Sequence, residues 1–447
     1  MKKRMICYIM LGILLTGCGK TESTTKVIGE DSLENPTVEE QQVTEVVDEK
    51  EPEVNEEITL KEVEEYEMSN DFSTDLMNYL ETAGYDKENY MVSPTSYREA
   101  VALAIAGANG ETKETMLKAL GFKDEEEMKA WYKNVDELEK YFLTQKEWVQ
   151  KEYEEYMDGY ECVADNWNFS VLNSVWNNKD LSKGFTDEYL KIIKKDYDAE
   201  AHESSASEIT EDINNWVDEN TNGMIPQLLE DASEHSAVLV NTVYLKTAFK
   251  DEFSKEATTE KDFNTVNGDI TKKEFMIKQD SMTYYEDAKS QLIKLPMEGG
   301  ISLVVTLGES TPESVLENLK KADYCEVHVE LPKIDTETTL GNKELVDYMK
   351  ANGAEVAFTD DADFSIMCED EKYKIDDIIQ KTKIKLDEDG VEASAATAVL
   401  MVAEGAAMME EPEEPKQFIA DKPFKYYILA EDYDGHGELL FFGQIVE

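Results

Sequence analysis

Hydrophobic and polar positions follow two different rhythms along this chain. From Tyr97 to Leu120, apolar residues recur at broadly helical spacing (Val101, Ile105, Ala108, Met116 and Leu120), and Gly121 is a stop signal. Ser93-Pro-Thr-Ser96 just ahead reads as a helix start, with a hydroxyl cap rather than a nucleophile pair. Ile209 to Leu229 is a second amphipathic helical region, with polar start signals from Glu208 to Asp212. Farther on the apolar runs are short and rich in β-branched residues. Ala237 to Leu245, Ile301 to Leu307, Glu326 to Leu331, Lys383 to Asp387 and Tyr426 to Leu429 read as strands. Helices dominate the first half and strands the second, which predicts an α+β domain with large sheets. No repeat of fixed period is present.

One segment fits neither rhythm comfortably. Glu388 to Val399 is rich in alanine and uncharged after Glu392. Read at period two, Val391, Ala393, Ala395, Thr397, Val399, Met401 and Ala403 would share one face of a strand. That face carries no charge and could lie on a core. The other face begins with Glu392 and continues through Ser394, Ala396, Ala398, Leu400 and Val402. Composition leaves a flexible linker or a short helix equally open.

The charge balance narrows the partners. Against 44 basic residues stand 99 acidic ones, a net charge of −55. A phosphate backbone needs a basic surface, so nucleic acid is excluded as a partner. Self-repulsion predicts a soluble monomer. At the N-terminus Lys2, Lys3 and Arg4 precede an apolar run from Met5 to Leu15, short for a membrane span. The run ends Leu15-Thr-Gly-Cys18, similar to a bacterial lipoprotein signal (residues 1–18) in which Cys18 carries the lipid. Residues 19–66 are rich in Glu, Thr and Val with few aromatics, the composition of a disordered acidic tether. The expected location is the outer face of a cell envelope, lipid-anchored, or the medium if the anchor is cut. Cys162, Cys325 and Cys368 have no metal-ligand spacing and read as buried free thiols.

No catalytic signature is visible. The four histidines, His202, His235, His328 and His436, lie in no zinc pattern. His328 alternates with Val327 and Val329 and reads as a strand residue. There is no Gly-x-Ser-x-Gly elbow and no phosphate-binding glycine loop. The sequence makes no case for an enzyme, a metal site or a cofactor.

Several ordered motifs nevertheless resemble one family. Glu388-Asp-Gly-Val-Glu-Ala-Ser-Ala396 is similar to the hinge of a serpin reactive-centre loop, with Val391 for the usual threonine and Ser394 for an alanine. Tyr90 to Ser96, Ile213 to Ile225, Leu239 to Lys246 with Phe253, Phe418 to Phe424 and Leu440 to Gly443 resemble other serpin segments in order. The resemblance covers residues 67–447. It implies a serpin-like fold with three β-sheets, about eight or nine helices, and an exposed loop at about 388–417. It also implies a suicide-substrate inhibitor. A protease cleaves the loop, the segment before the cut enters the central sheet, and the protease is trapped as a covalent acyl-enzyme. The target would be a serine protease, or a cysteine protease. A non-inhibitory serpin-fold binding protein at the cell surface is the alternative, and a transporter's solute-binding lipoprotein a third reading that rests on Cys18 alone.

The same resemblance assigns residues. The hinge would comprise Glu388, Gly390, Val391, Glu392, Ala393, Ala395 and Ala396. Family spacing places the reactive bond at Glu404-Gly405, with Val402 and Ala403 as alternatives. No Lys or Arg lies between Lys385 and Lys416, which argues against trypsin-like targets. An elastase-like protease is favoured and a glutamate-specific one is second. Ser93, Ser96, Asn241 and Gln380 would form the shutter across the sheet's opening point. Gln380 replaces a common histidine, and Phe249 a common tryptophan. Residues 123–165, charged and aromatic, read as extended surface helices.

Overall fold

The structure is a computed structural model, and it describes residues 71–156, 162–197, 199–370, 372–391, 414–433, 435 and 437–447. Helix α1 (Asp71–Thr82) leads through β1 (Tyr90–Val92) to α2 (Pro94–Gly107), α3 (Gly110–Ala119) and the 32-residue α4 (Glu125–Tyr156). Then come β2 (Asn168–Asn178), α5 (Asp187–Asp196), β3 (Glu200–Ser204), α6 (Ile209–Asn220) and β4 (Ala237–Ala248). The second half runs β5 (Thr259–Asn264), β6 (Ile270–Glu286), β7 (Ser290–Pro296), β8 (Ile301–Gly308), α7 (Pro312–Leu319), β9 (Asp323–Pro332) and β10 (Ile334–Leu340). It closes with α8 (Asp347–Met349), β11 (Asp377–Asp387), β12 (Gly390–Val391), β13 (Lys416–Ile419), β14 (Phe424–Glu431) and β15 (Gly437–Ile445).

Two of the predicted helices end early, each for a local reason. The run expected from Tyr97 to Leu120 breaks at Ala108, which is extended. There the backbone turns to the segment 363–367: Asn109 N–H donates to Asp363 O and Met367 N–H to Gly107 O. A Cβ at Gly107 would lie 2.6 Å from Met367 Cβ, so only glycine permits this approach. The run expected to reach Leu229 ends at Asn220, where Asn222 and Gly223 adopt positive φ. The Asn214 side chain holds the returning segment, accepting from Leu228 and Leu229 N–H. Helix α4 is less superficial than its charge suggests. Met128, Trp131, Val135, Leu138 and Phe142 form a buried stripe at spacings of three and four.

Hydrogen bonding joins the strands into two networks. One has nine strands, ordered β1-β15-β14-β8-β7-β6-β9-β13, with β5 also on β6. Its two arms meet at the 17-residue β6, which pairs with β7 near Glu286 and with β5 and β9 along the rest of its length. Counted by arms, these and the second network give three sheets. The second network has six strands, ordered β10-β11-β12-β4-β2-β3. The main apolar core lies between the networks and includes Val243, Leu245, Ile293, Val305, Val329, Ile384 and Leu386. A smaller cluster packs α6, through Ile209, Ile213, Trp216 and Val217, on the opposite face of the six-stranded sheet at Val238, Val240 and Ile379. The α+β class expected from the sequence is the class observed, with eight α-helices among the described residues.

Candidate functional site

Among the described residues, the six-stranded sheet is unfinished at its centre. Strands β4 and β11 run parallel and pair directly only from Val238–Asp377 to Asn241–Gln380. At the other end β12 sits between them: Val391 lies opposite Leu386 on one side and Thr247 on the other. Between these two points the direct pairing of Thr242–Lys246 with Lys381–Lys385 is interrupted, leaving a seam five residues long on each strand. The seam has two chemically distinct faces. Thr382, Ile384, Val243 and Leu245 are buried toward the core, whereas Lys385 is exposed and Lys246, Lys381 and Lys383 are partly so. Val391 is 2% exposed and takes the core side.

The entrance is held by the residues around β12. Glu388 is buried, yet its carboxylate accepts from Thr258 Oγ1 at 2.6 Å and meets Lys333 Nζ at 3.0 Å. Burial alone would raise its pKa, but Thr258, its own backbone N–H and Lys333 outweigh that and hold it below the usual carboxylate range. Asp389 pairs with Lys255 Nζ at 2.8 Å. The backbone is fastened as well: Phe249 N–H donates to Asp389 O and Phe253 N–H to Glu388 O. Phe249, at the position of the family's usual tryptophan, is buried with its ring 5.4 Å from that of Phe253. Gly390 has φ +138°, and a Cβ there would lie 2.4 Å from Thr247 O. A side chain at 390 would therefore push β12 off β4.

The closed end is polar and buried. Gln380 Nε2 donates to Ser93 O at 2.9 Å and, at 3.5 Å, to Asn241 Oδ1. Its Oε1 accepts from Ser93 N–H at 2.9 Å. Ser93 caps α2, its hydroxyl accepting from Ser96 N–H. The Ser96 hydroxyl itself is buried without a hydrogen-bond partner among the described residues. The structure thus brings Ser93, Asn241 and Gln380 together, with Ser96 beside them through its backbone alone. Glutamine serves both a donor and an acceptor of Ser93.

Of the residues singled out from sequence, Glu388, Gly390 and Val391 are gathered at the entrance. Glu392, Ala393, Ala395, Ala396, Val402, Ala403, Glu404, Gly405 and Cys18 lie outside the described residues. Cys162, Cys325 and Cys368 are free thiols, of which only Cys368 is fully buried. Sequence reasoning missed Lys333, Thr258 and Lys255, which are 55, 130 and 134 residues from their partners, and no local pattern marks such pairs. It also missed Asn173 and Glu99 behind Asn241. A carboxylate inside the apolar run of α2 was the available signal.

A family model described as "Serpin (serine protease inhibitor)" matches residues 67–447. The chain is 29% identical over 399 residues to a serpin-like protein of Thermococcus kodakarensis, covering 84% of each. It is 28% identical to the human leukocyte elastase inhibitor, over 80% of this chain and 92% of that one. Among solved structures it is similar to Serpin48 of the insect Tenebrio molitor (25% identity, TM-score 0.64, 85% and 96% coverage). It is also similar to tengpin, a thermophilic serpin in its native state (26% identity, TM-score 0.64, 85% and 92% coverage). The chain belongs to the serpin family.

Proposed function

We propose that this chain is an inhibitory serpin that traps a serine protease by inserting its cleaved loop into the seam between β4 and β11. The observation that carries this reading is β12, seated at the entrance of a seam whose far end is already paired. Continuing the register of Val391 sets Glu392 beside Lys385 and Lys246. It then sets Ala393 beside Ile384 and Leu245, Ala395 beside Thr382 and Val243, and Thr397 beside Gln380 and Asn241. The uncharged odd-numbered face turns to the core and the Glu392 face to the lysines. Past Ala396 the insertion must part Gln380 from Asn241, so the closed end is the barrier to be crossed.

The reacting bond is the peptide at Glu404-Gly405, or one nearby after Val402 or Ala403. The protease's nucleophile bonds to the carbonyl carbon and the amine of the following residue leaves. The remaining ester is carried with the inserting strand before water can hydrolyse it. An elastase-like protease is the favoured target, supported by the apolar run Leu400 to Ala403 and by the relative named for elastase inhibition. A glutamate-specific protease is second. A lipid on Cys18 and the acidic tether of residues 19–66 would hold the inhibitor at the cell envelope. Replacing Cys18 by alanine should then abolish incorporation of labelled palmitate.

The test is incubation with an elastase and with a glutamyl endopeptidase, followed by denaturing electrophoresis and mass spectrometry of the released C-terminal fragment. The expected result is an SDS-resistant complex and a fragment beginning at or within a few residues of Gly405. Cleavage by both proteases without a complex, each remaining active, would replace trapping with the non-inhibitory binding reading.

A further inference from the structure

Three consecutive carboxylates, Asp387, Glu388 and Asp389, stand at the entrance of the seam, just before the two residues that enter it. Glu388 has both Thr258 and Lys333. Asp389 depends on a single group. Among the described residues, the only donor to its carboxylate is Lys255 Nζ, at 2.8 Å. The two partners differ sharply in access: the Asp389 side chain is 7% exposed and the Lys255 side chain 51%. An enclosed charge is thus held by a cation that reaches in from solvent. Lys255 also faces the other two carboxylates. Its pKa is raised by the hydrogen bond to Asp389, then by the charges of Asp389, Asp387 and Glu388, against the opposing effect of burial. The backbone gives this pair its leverage. Asp389 O accepts from Phe249 N–H, and Phe249 and Lys255 both belong to the segment that leaves β4. Asp389 N–H donates to Asp387 Oδ1 at the end of β11. The next residue, Gly390, already lies between Ala248 of β4 and Asp387 of β11. Residue 389 is therefore the last anchored point of the chain before β12, and two residues are too short a strand to hold themselves in a sheet.

We propose that Lys255 is a positioning residue for loop insertion: by holding Asp389 it keeps β12 seated between β4 and β11 while the loop is still uncut. Without the lysine, Asp389 is a buried charge with no counter-charge. The chain relieves this by carrying the carboxylate out to water, and Gly390 and Val391 follow it off the two strands. The consequence for trapping rests on the inhibitory reading proposed above. A seated hinge is an insertion already begun, since each later residue adds beside one that is in place. A hinge outside the sheet must first find the entrance, and during that search water hydrolyses the ester and the protease leaves.

Hydrogen exchange of the intact, uncut chain tests the seating without any protease. Mass spectrometry would follow peptides covering 247–253 and 386–391, with 238–241 and 377–380 at the closed end as the reference. Lys255→Ala should exchange roughly tenfold faster or more at the entrance, the scale of a lost charge-assisted bond, and like wild type at the closed end. Lys255→Arg, which keeps the charge, should restore protection. On an Asp389→Ala background Lys255→Ala should add nothing, because no carboxylate remains to be held. Equal exchange in Lys255→Ala and wild type, or the same increase on both backgrounds, would overturn the proposal. With an elastase, the fraction of cleavage events that end in an SDS-resistant complex should fall in Lys255→Ala and recover in Lys255→Arg. An unchanged fraction would overturn the role in insertion. If the wild type forms no complex with any protease, the inhibitory reading fails, and the exchange measurement still decides whether Lys255 seats β12.

Discussion

At Glu388 a charge has been buried on purpose and then satisfied. A carboxylate this enclosed would ordinarily take up a proton, but Thr258 and Lys333 supply a donor and a counter-charge at short range. Because its pKa is lowered in the folded chain, its contribution is present above the unfolded value, about 4.3, and is lost as pH falls through the folded one. Lys333→Met should destabilise the native chain by ~1–3 kcal/mol at pH 7, since it removes a charge-assisted bond from a buried partner. Thermal midpoints of the two chains should draw together as pH falls below the usual carboxylate range and converge only once it has passed the lowered pKa of folded Glu388, where the carboxyl is neutral in both. A gap that stays constant through the whole acid range would mean the lysine acts through packing. Gly390 next door is constrained by geometry alone, since its positive φ and the approach of Thr247 O leave no room for a side chain.

The element that matters most is the shortest one. Strand β12 has two residues, yet on the proposed mechanism it sets the register that an inserting continuation would take. Period two then makes a sharp distinction between neighbouring alanines. Ala395→Arg would bring a charge to the core face beside Thr382 and Val243, at a cost of about 3 kcal/mol or more, roughly a 100-fold slower insertion. Ala396→Arg would leave its charge on the lysine-bearing outer face and should slow insertion far less. Rapid mixing with an elastase, scored as complex formed against loop merely cleaved, separates the two. Equal effects at 395 and 396 would discard the register. This alternation is legible in the sequence because strand geometry depends on the local chain alone. The breaks at Ala108 and Asn220 are not, because they follow from contacts with 363–367 and 228–229.

For the whole molecule the sheet is a store of unused pairing. Among the described residues no strand pairs with β4 and β11 along the seam, and on the proposed mechanism the segment after Val391 would complete the ladder. Nicking the loop should therefore raise the thermal midpoint sharply while the two fragments stay together, their summed mass greater only by the one water added in hydrolysis. Scanning calorimetry before and after limited elastase treatment checks this, and an unchanged midpoint would favour the binding-protein reading. The excess of 55 negative charges works against compaction at every stage. Added salt should raise the midpoint of the intact chain by screening that repulsion, at ionic strengths where the Debye length falls below about 10 Å. No change from 10 mM to 500 mM salt would show that the acidic groups are too dispersed to matter.

What the sequence determined by itself was the local: the helix and strand rhythms, the acidic balance, the cap at Ser93, the uncharged odd-numbered face beginning at Val391, and the family to which these motifs belong. Each depends on neighbours a few residues apart, so periodicity and composition report it. Tertiary structure decided which distant groups meet. Glu388 found Lys333 and Thr258, Gln380 found Ser93, and Asn241 found Asn173 and through it Glu99. A buried polar group must be satisfied by whatever the fold brings to it, and separation along the chain says nothing about that distance.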